Sequence, residues 1–347
     1  MIIDEERLLC ARLKNQFLLD RAPCATVVSE LCGLQAQFAN NPKYALRIRG
    51  GDFDEADWNR GLVKTWSFRH TLHTVRLDEL GLFLSARGIP SKWEADWNIE
   101  GRRMEALAGF LLEQINSGVS GREALRAKCR EVGIGGEELA NIFHGWGGLF
   151  YEMSRRGMIA YHPGTAKNFV PCVGVEYMDR DQARAILLRR YFRRFGPATL
   201  EDCAAFTGYK KREIAGVVEK HGIALRSAML GNTEYFYLSR LPASCEIPHC
   251  LFLAGFDQMI MGYRDRSPIL DEKSRRQTIT VSGIVNPTVL LRGRVCAKWK
   301  KDGAKLVISP FTKIPKKDRN AIAALGEHLF GDTAEGGVVF DDGQKQP

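Results

Sequence analysis

Two stretches of this chain, residues 121–174 and 181–240, follow one plan without sharing a sequence: three helical segments, then strand, turn and strand. In the later stretch, apolar residues recur every three or four positions through Gln182–Phe195, Leu200–Phe206 and Arg212–Lys220. Gly196-Pro197 breaks the first of these helices and Gly222 stops the third. "IALRSAMLGNTEYFYLS" then reads as two strands with Gly231-Asn232 at the tip. In the earlier stretch, helices around Glu123–Cys129 and Glu137–Ile142 precede a third, Gly147–Arg156, which stops at Gly157. "MIAYHPGTAKNFVPC" follows as strand, turn, strand. Three helices closed by a β-hairpin is the plan of a winged helix, a variant of the helix-turn-helix.

The first 90 residues hold a third, less regular copy. A helix over Asp4–Leu19 carries Leu8, Leu9, Leu13 and Phe17 on one stripe. Pro23 opens a second with Val27, Val28, Leu31 and Leu34. A short helix over Phe53–Leu62 leads into "KTWSFRHTLHTVRL", a strand or strand pair, and then a helix over Asp78–Arg87. From about Leu251 short strands between Gly, Pro and Asn turns predict a small β domain, closed by a helix over Lys316–Phe330. The expected division is 1–118, 119–178 and 179–242 for the three winged-helix regions, 243–332 for the β-rich scaffold, and 333–347 as a disordered tail. The expected class is α+β.

The formal net charge of +9 favours a polyanionic partner, nucleic acid first. No apolar run is long enough for a bilayer, and the opening "MIIDEE" lacks the features of a signal peptide, so the expectation is a cytoplasmic, nucleoid-associated chain. Nine dispersed cysteines without Cys-x-x-Cys suit reduced thiols better than a disulfide framework or structural zinc. Cys245, His249 and Cys250 lack a second ligand pair, and His70 and His73 would face opposite ways along a strand, so no metal is expected. Phosphate-binding loops, zinc-protease helices and serine-hydrolase elbows are all missing, and no cofactor is expected.

"GLQAQFANNPKY" carries the one constellation left. The apolar stripe before it ends at Leu34, and Pro42 keeps that helix from continuing far. If residues 35–37 are extended, Gln35 and Gln37 point the same way and offer two acceptor oxygens at one place. By local pattern alone they read as caps for a helix end.

A wider likeness changes that reading. "GLQAQ", "SFRHTLHTV", "YFRRFGPATLEDCAAFTG", "GFDQMIMGYRDR" and "GIVNPTVLLRGRVCAKWK" occur in the order found in the AlkZ-like family of winged-helix bacterial DNA glycosylases, which the chain resembles from about residue 5 to 310. Gln35-Ala36-Gln37 is similar to the Gln-x-Gln signature of the AlkZ branch rather than the Gln-x-Asp of the YcaQ branch. Thr74 departs from the aliphatic residue usual after Thr-Leu-His, changing only an apolar contact. The resemblance implies a C-shaped clamp of three tandem winged helices on a β-rich domain. It also implies removal of alkylated purines, including guanines joined in interstrand crosslinks, with Gln35 and Gln37 as the catalytic pair.

The chemistry fits. A guanine alkylated at N7 is already cationic and leaves without protonation, so the enzyme must position a water and stabilise an oxocarbenium ion. Two amide oxygens can do this without placing a full carboxylate beside the phosphates. Lys43, beyond the turn, is the one lysine near the motif, so no Schiff-base lyase step is expected. A crosslinked base cannot swing out freely, which favours an open clamp over a flipping pocket.

Double-stranded DNA is the expected partner of a monomeric clamp. Arg264, Arg266, Arg275 and Arg276, flanking a hairpin in the β domain, are expected to meet phosphate or minor groove. Arg69 and His73 are placed with them at the DNA, bracing the strand near the reaction centre. Arg189, Arg190, Arg193 and Arg194 on one helix divide between DNA contact and solvated surface. Asp257 and Asp265 are a hidden catalytic carboxylate or, the reading preferred, structural, with Asp265 paired to an arginine neighbour. The rival reading is a non-enzymatic winged-helix transcriptional regulator. Against it stand three such motifs in one chain without an effector segment.

Overall fold

In a computed structural model, residues 1–94, 96–145, 147–164 and 168–342 are described. The chain forms two compact units: 1–35, 41–58 and 187–347 make the first, 36–40 and 59–186 the second. No helix among the described residues is long and apolar enough to cross a membrane.

The second unit is built on antiparallel strands in the order Leu72–Arg76, Leu62–Trp66, Ile159–Tyr161, Phe169–Pro171. The aromatic stretch expected as a strand or strand pair is therefore a pair. It turns through Arg69 and His70, which adopt φ of 52° and 54°. Its helical partner differs from expectation. A helix over Gly101–Asn116, unforeseen in the sequence, packs Met104, Leu107, Leu111 and Ile115 into one core with Leu125, Ile142, Phe150 and Phe169. That core spans the expected boundary at residue 119. Between this helix and the next, Arg122–Glu131, Gly121 bridges to Asn168 and the Phe169 amide donates to the Ser120 carbonyl. A single strand step thus joins helices to hairpin.

The first unit repeats that wiring. Helices Leu200–Thr207 and Lys211–Lys220 precede the hairpin Arg226–Leu230 with Thr233–Tyr237, and Ala198 bridges to Phe236. Local chemistry explains why this part was legible. Thr199 and Asp202 form a reciprocal capping box, and Gly208 ends the helix at φ 78°. Ile2 bridges Met229 alongside the hairpin, so Leu8 and Ala11 of the helix Glu5–Asn15 share a core with Ala228, Tyr235 and Tyr237.

A five-stranded sheet completes this unit, in the order Val338–Phe340, Lys305–Pro310, Arg294–Asp302, Thr288–Leu291, Cys250–Leu253. Trp299 and Phe330 anchor its cover helix, Lys316–Phe330, with ring centroids 4.9 Å apart. Val338–Phe340 lies in the segment expected to be a disordered tail, yet it pairs in parallel with Lys305–Pro310. Residues 343–347 of that segment lie outside the described residues.

The helix before the glutamine motif ends at Glu30, and a new one, Asn40–Arg49, holds Pro42 in its first turn, where its missing N–H costs nothing. Two further expectations are corrected. Of residues 53–62, expected as a helix, 55–61 form turns and Leu62 already begins a strand. Cys10 and Cys245, 235 positions apart, form a disulfide, while Cys24, Cys32, Cys129, Cys172, Cys203, Cys250 and Cys296 are free.

Candidate active site

The approach to the glutamine motif is set by backbone geometry. Helix Cys24–Glu30 ends, and Cys32 and Gly33 turn through φ of 57° and 79°. The chain then extends through Leu34–Gln35. Leu34 and Ala36 are both 2% exposed, which pins the segment from alternate positions.

The two glutamines part company here. Gln35 is buried at 5% exposure, whereas Gln37 is exposed at a bend over residues 37–38. Strand alternation holds only while the backbone stays extended, and it stops at Gln35. The same-side expectation therefore does not follow from strand geometry. One amide is preorganised in a buried setting and the other is reachable from solvent.

Within the first unit, the "GFDQ" segment supports the approach to Gln35. The Gln258 side-chain amide, 2% exposed, donates to the Gly33 carbonyl. Its neighbour Asp257 caps the short helix Gln258–Met261 through the Met259 amide and also accepts from Ala254. Both Asp257 oxygens bind Arg49, at 2.8 and 2.6 Å, with both side chains fully buried. Arg49 in turn donates to the Gln16 carbonyl. Asp257 is thus saturated by structural bonds and is no general base, in line with the preferred reading. Asp265 is also structural, but its carboxylate accepts from the Ser267 amide, and no arginine pair with it is found among the described residues.

Within the second unit, the Ala36 amide donates to the Leu72 carbonyl. This bond ties the "LQAQ" and "HTLHT" motifs together. His73 is fully buried, and burial together with the Arg69 charge lowers its pKa to about 3. Its Nδ1 lies 3.2 Å from the Thr71 carbonyl, and its ring meets Phe68 edge-on. A neutral, enclosed imidazole cannot touch phosphate, so His73 braces the strand and is removed from the DNA contacts. Arg69 is half-buried in the turn, not on a strand. His70 is exposed there, next to Arg87, whose guanidinium reaches both His70 and the Tyr151 hydroxyl. Among the described residues no group of three metal-ligating side chains occurs.

Other expected contacts sort by their partners. Arg275 and Arg276 sit on a helix, Glu272–Thr278, not beside a hairpin, and both reach Glu272 at 3.4 Å. Such exposed pairs exchange readily with solvent and leave both cations usable. Arg264 is exposed, while the half-buried Arg266 donates to the Ile260 carbonyl and its pKa is lowered by burial. On the helix Arg180–Arg194, Arg194 and Arg193 pair with Glu30, Arg189 holds the His221 carbonyl and Arg190 holds that of Ser29. That quartet is largely committed to internal bonds.

Two lysines bear on the chemistry. Lys43 pairs with Glu55. Lys64, unremarked in the sequence, is only 1% exposed on the strand Leu62–Trp66, opposite Thr74, and burial lowers its pKa to about 8.

A mixed α/β chain with one glutamine buried on a strand, a second exposed at the bend that follows it, and cations exposed on its surface, is the class to which the known proteins answer. The family described as "DNA glycosylase AlkZ-like" matches residues 28–330, so the chain belongs to the AlkZ-like DNA glycosylase family. An "Interstrand DNA cross-link repair glycosylase" of Streptomyces sahachiroi is 24% identical over 348 residues, 92% of this chain and 93% of that protein. The solved structure of Streptomyces sahachiroi DNA glycosylase AlkZ superposes with a TM-score of 0.78, covering 98% of this chain and 100% of that one.

Proposed function

We propose that this chain is a monofunctional DNA glycosylase that hydrolyses the N-glycosidic bond of cationic, N7-alkylated purines in duplex DNA. The observation that carries the reading is Gln35, a neutral amide buried on a braced strand, two residues before an exposed Gln37, in a chain of this glycosylase family. Gln35 supplies a preorganised dipole for the developing positive charge. Gln37 accepts from the attacking water. Neither can donate a proton to a neutral leaving base as an acid would, and this selects lesions that carry their own charge. The name of the Streptomyces relative supports extending the substrate to purines held in interstrand crosslinks.

The repeated order of helices, bridging residue and hairpin supports tandem winged-helix motifs, three in number with the N-terminal region. Arg69, Arg264, Arg266, Arg275 and Arg276 are the proposed DNA contacts. No lyase step is assigned: Lys43 is paired and Lys64 is closed inside the sheet.

The test is a duplex containing one N7-methylguanine, scored for abasic sites. Wild type should produce them, and Gln35→Ala or Gln37→Ala should lose about 10²-fold or more in rate. Full activity in both variants would remove the glutamines from the mechanism. Tight binding to one undamaged sequence, without base release, would make the chain a regulator.

A further inference from the structure

Four cations from two distant stretches of the sequence meet in the first unit around a concave pocket of about 740 Å³: Arg7, Lys14, Arg226 and Arg240. Arg7 and Lys14 stand seven residues apart on the helix Glu5–Asn15, hence on one face. Arg226 begins the first strand of the hairpin, and Arg240 follows the second. Tyr237 and Ser244 also line the pocket, and its lining contains no Asp or Glu.

The partners of these cations set them apart from the arginines that carboxylates neutralise. Arg7 donates to the Pro242 carbonyl at 3.0 Å, and Arg226 donates to that of Leu238 at 3.3 Å. Arg226 also lies over the Tyr237 ring, 5.9 Å from its centroid. Among the described residues none of the four is paired with a carboxylate. By contrast Arg194 answers Glu30, Arg276 answers Glu272 and Arg319 answers Asp342. Carbonyl bonds aim a guanidinium without neutralising it. Gathering four positive charges around one hollow costs self-repulsion, which an anionic ligand would relieve.

We propose that this pocket grips the phosphodiester backbone of DNA, as a second anchoring surface built from residues other than the arginines at 264–276. The inference rests on the glycosylase reading for the identity of its polyanion. The phosphates would bind to Lys14, Arg226 and Arg240 at the rim, which are exposed, with the half-buried Arg7 behind them.

Anisotropy titrations of an undamaged duplex from 50 to 200 mM KCl test it. The slope of log K against the logarithm of salt concentration should weaken by about 0.9 for each phosphate that the protein no longer neutralises. The triple variant Lys14→Ala, Arg226→Ala, Arg240→Ala should therefore show a slope smaller by about 2–3, with an unchanged melting temperature. The charge-keeping variant Lys14→Arg, Arg240→Lys should keep the wild-type slope. An unchanged slope in the folded triple variant, or no duplex binding by wild type at 50 mM, overturns the proposal. So does tripolyphosphate binding that the triple variant abolishes while its duplex slope stays intact, since the pocket would then serve free phosphates. Base release by wild type, measured alongside, keeps the two readings apart. Release with an unaltered slope sinks only the pocket, and no release sinks the glycosylase whatever the slope.

Discussion

The side-chain amide of Gln258 donates to the main-chain carbonyl of Gly33, two residues before Gln35. A residue 225 positions away thus fixes the backbone that delivers the buried glutamine. Gln258→Ala leaves that carbonyl without its partner, at a cost of about 1–3 kcal/mol. Displacement of the strand should lower single-turnover base release by about tenfold to 10²-fold, with little change in substrate affinity. A rate equal to wild type would show that Gln258 does not position the site.

Arg49 and Asp257 predict a cycle rather than a single loss. Arg49→Met strands a fully buried carboxylate and should destabilise the fold by about 3–5 kcal/mol in urea titrations. Adding Asp257→Leu removes the stranded charge and should recover a large part of that loss. Additive losses in the double variant would contradict the coupling.

Lys64 gives a pH dependence with a definite sign. Its ammonium is disfavoured in the folded state, with a pKa near 8 against an ordinary 10.5. The fold therefore bears the full cost below pH 8 and sheds it as pH rises to 10.5. Lys64→Met should stabilise the protein at pH 7, by at most ~3 kcal/mol, and the advantage should fade above pH 8. The same burial predicts no covalent adduct with an abasic site under borohydride. A trapped adduct lost in Lys64→Met would establish a lyase step.

His73 works at the acid end. Held near 3 rather than 6.5, it stays neutral when folded while the unfolded chain takes up a proton. Stability present above pH 6.5 is lost as pH falls toward 3, by up to ~5 kcal/mol. His73→Leu should flatten that part of the stability profile relative to wild type. Parallel acid profiles would mean that His73 becomes protonated without unfolding.

The parts of the fold that could be read in advance are those specified locally. Thr199, Asp202, Gly208 and Gly231-Asn232 act within a few residues of themselves, and the helices and hairpin of 200–237 lie where the sequence placed them. The helix Gly101–Asn116 was hidden by its start. Gly101 is a poor helix former, required because a Cβ there would strike the Trp93 carbonyl, and Glu100 makes no side-chain cap. The glutamine motif could be located but its environment could not. Whether Gln35 is buried and Gln37 exposed depends on a bend and on Gln258, neither of which spacing encodes. The Cys10–Cys245 bond and the four-cation pocket were out of reach for one reason: their members meet only through tertiary structure.

The division of the chain bears on its birth. The second unit is nearly continuous, from 59 to 186, whereas the first needs 1–35, 41–58 and everything from 187 onward. On the ribosome, the residues that lead up to Gln35 emerge early and then wait through the synthesis of the whole intervening unit for Asp257 and Gln258. During that interval Arg49 has no buried counter-charge and Gly33 no amide to hold it. The segment bearing the buried Gln35 is thus completed late, although it is translated among the first.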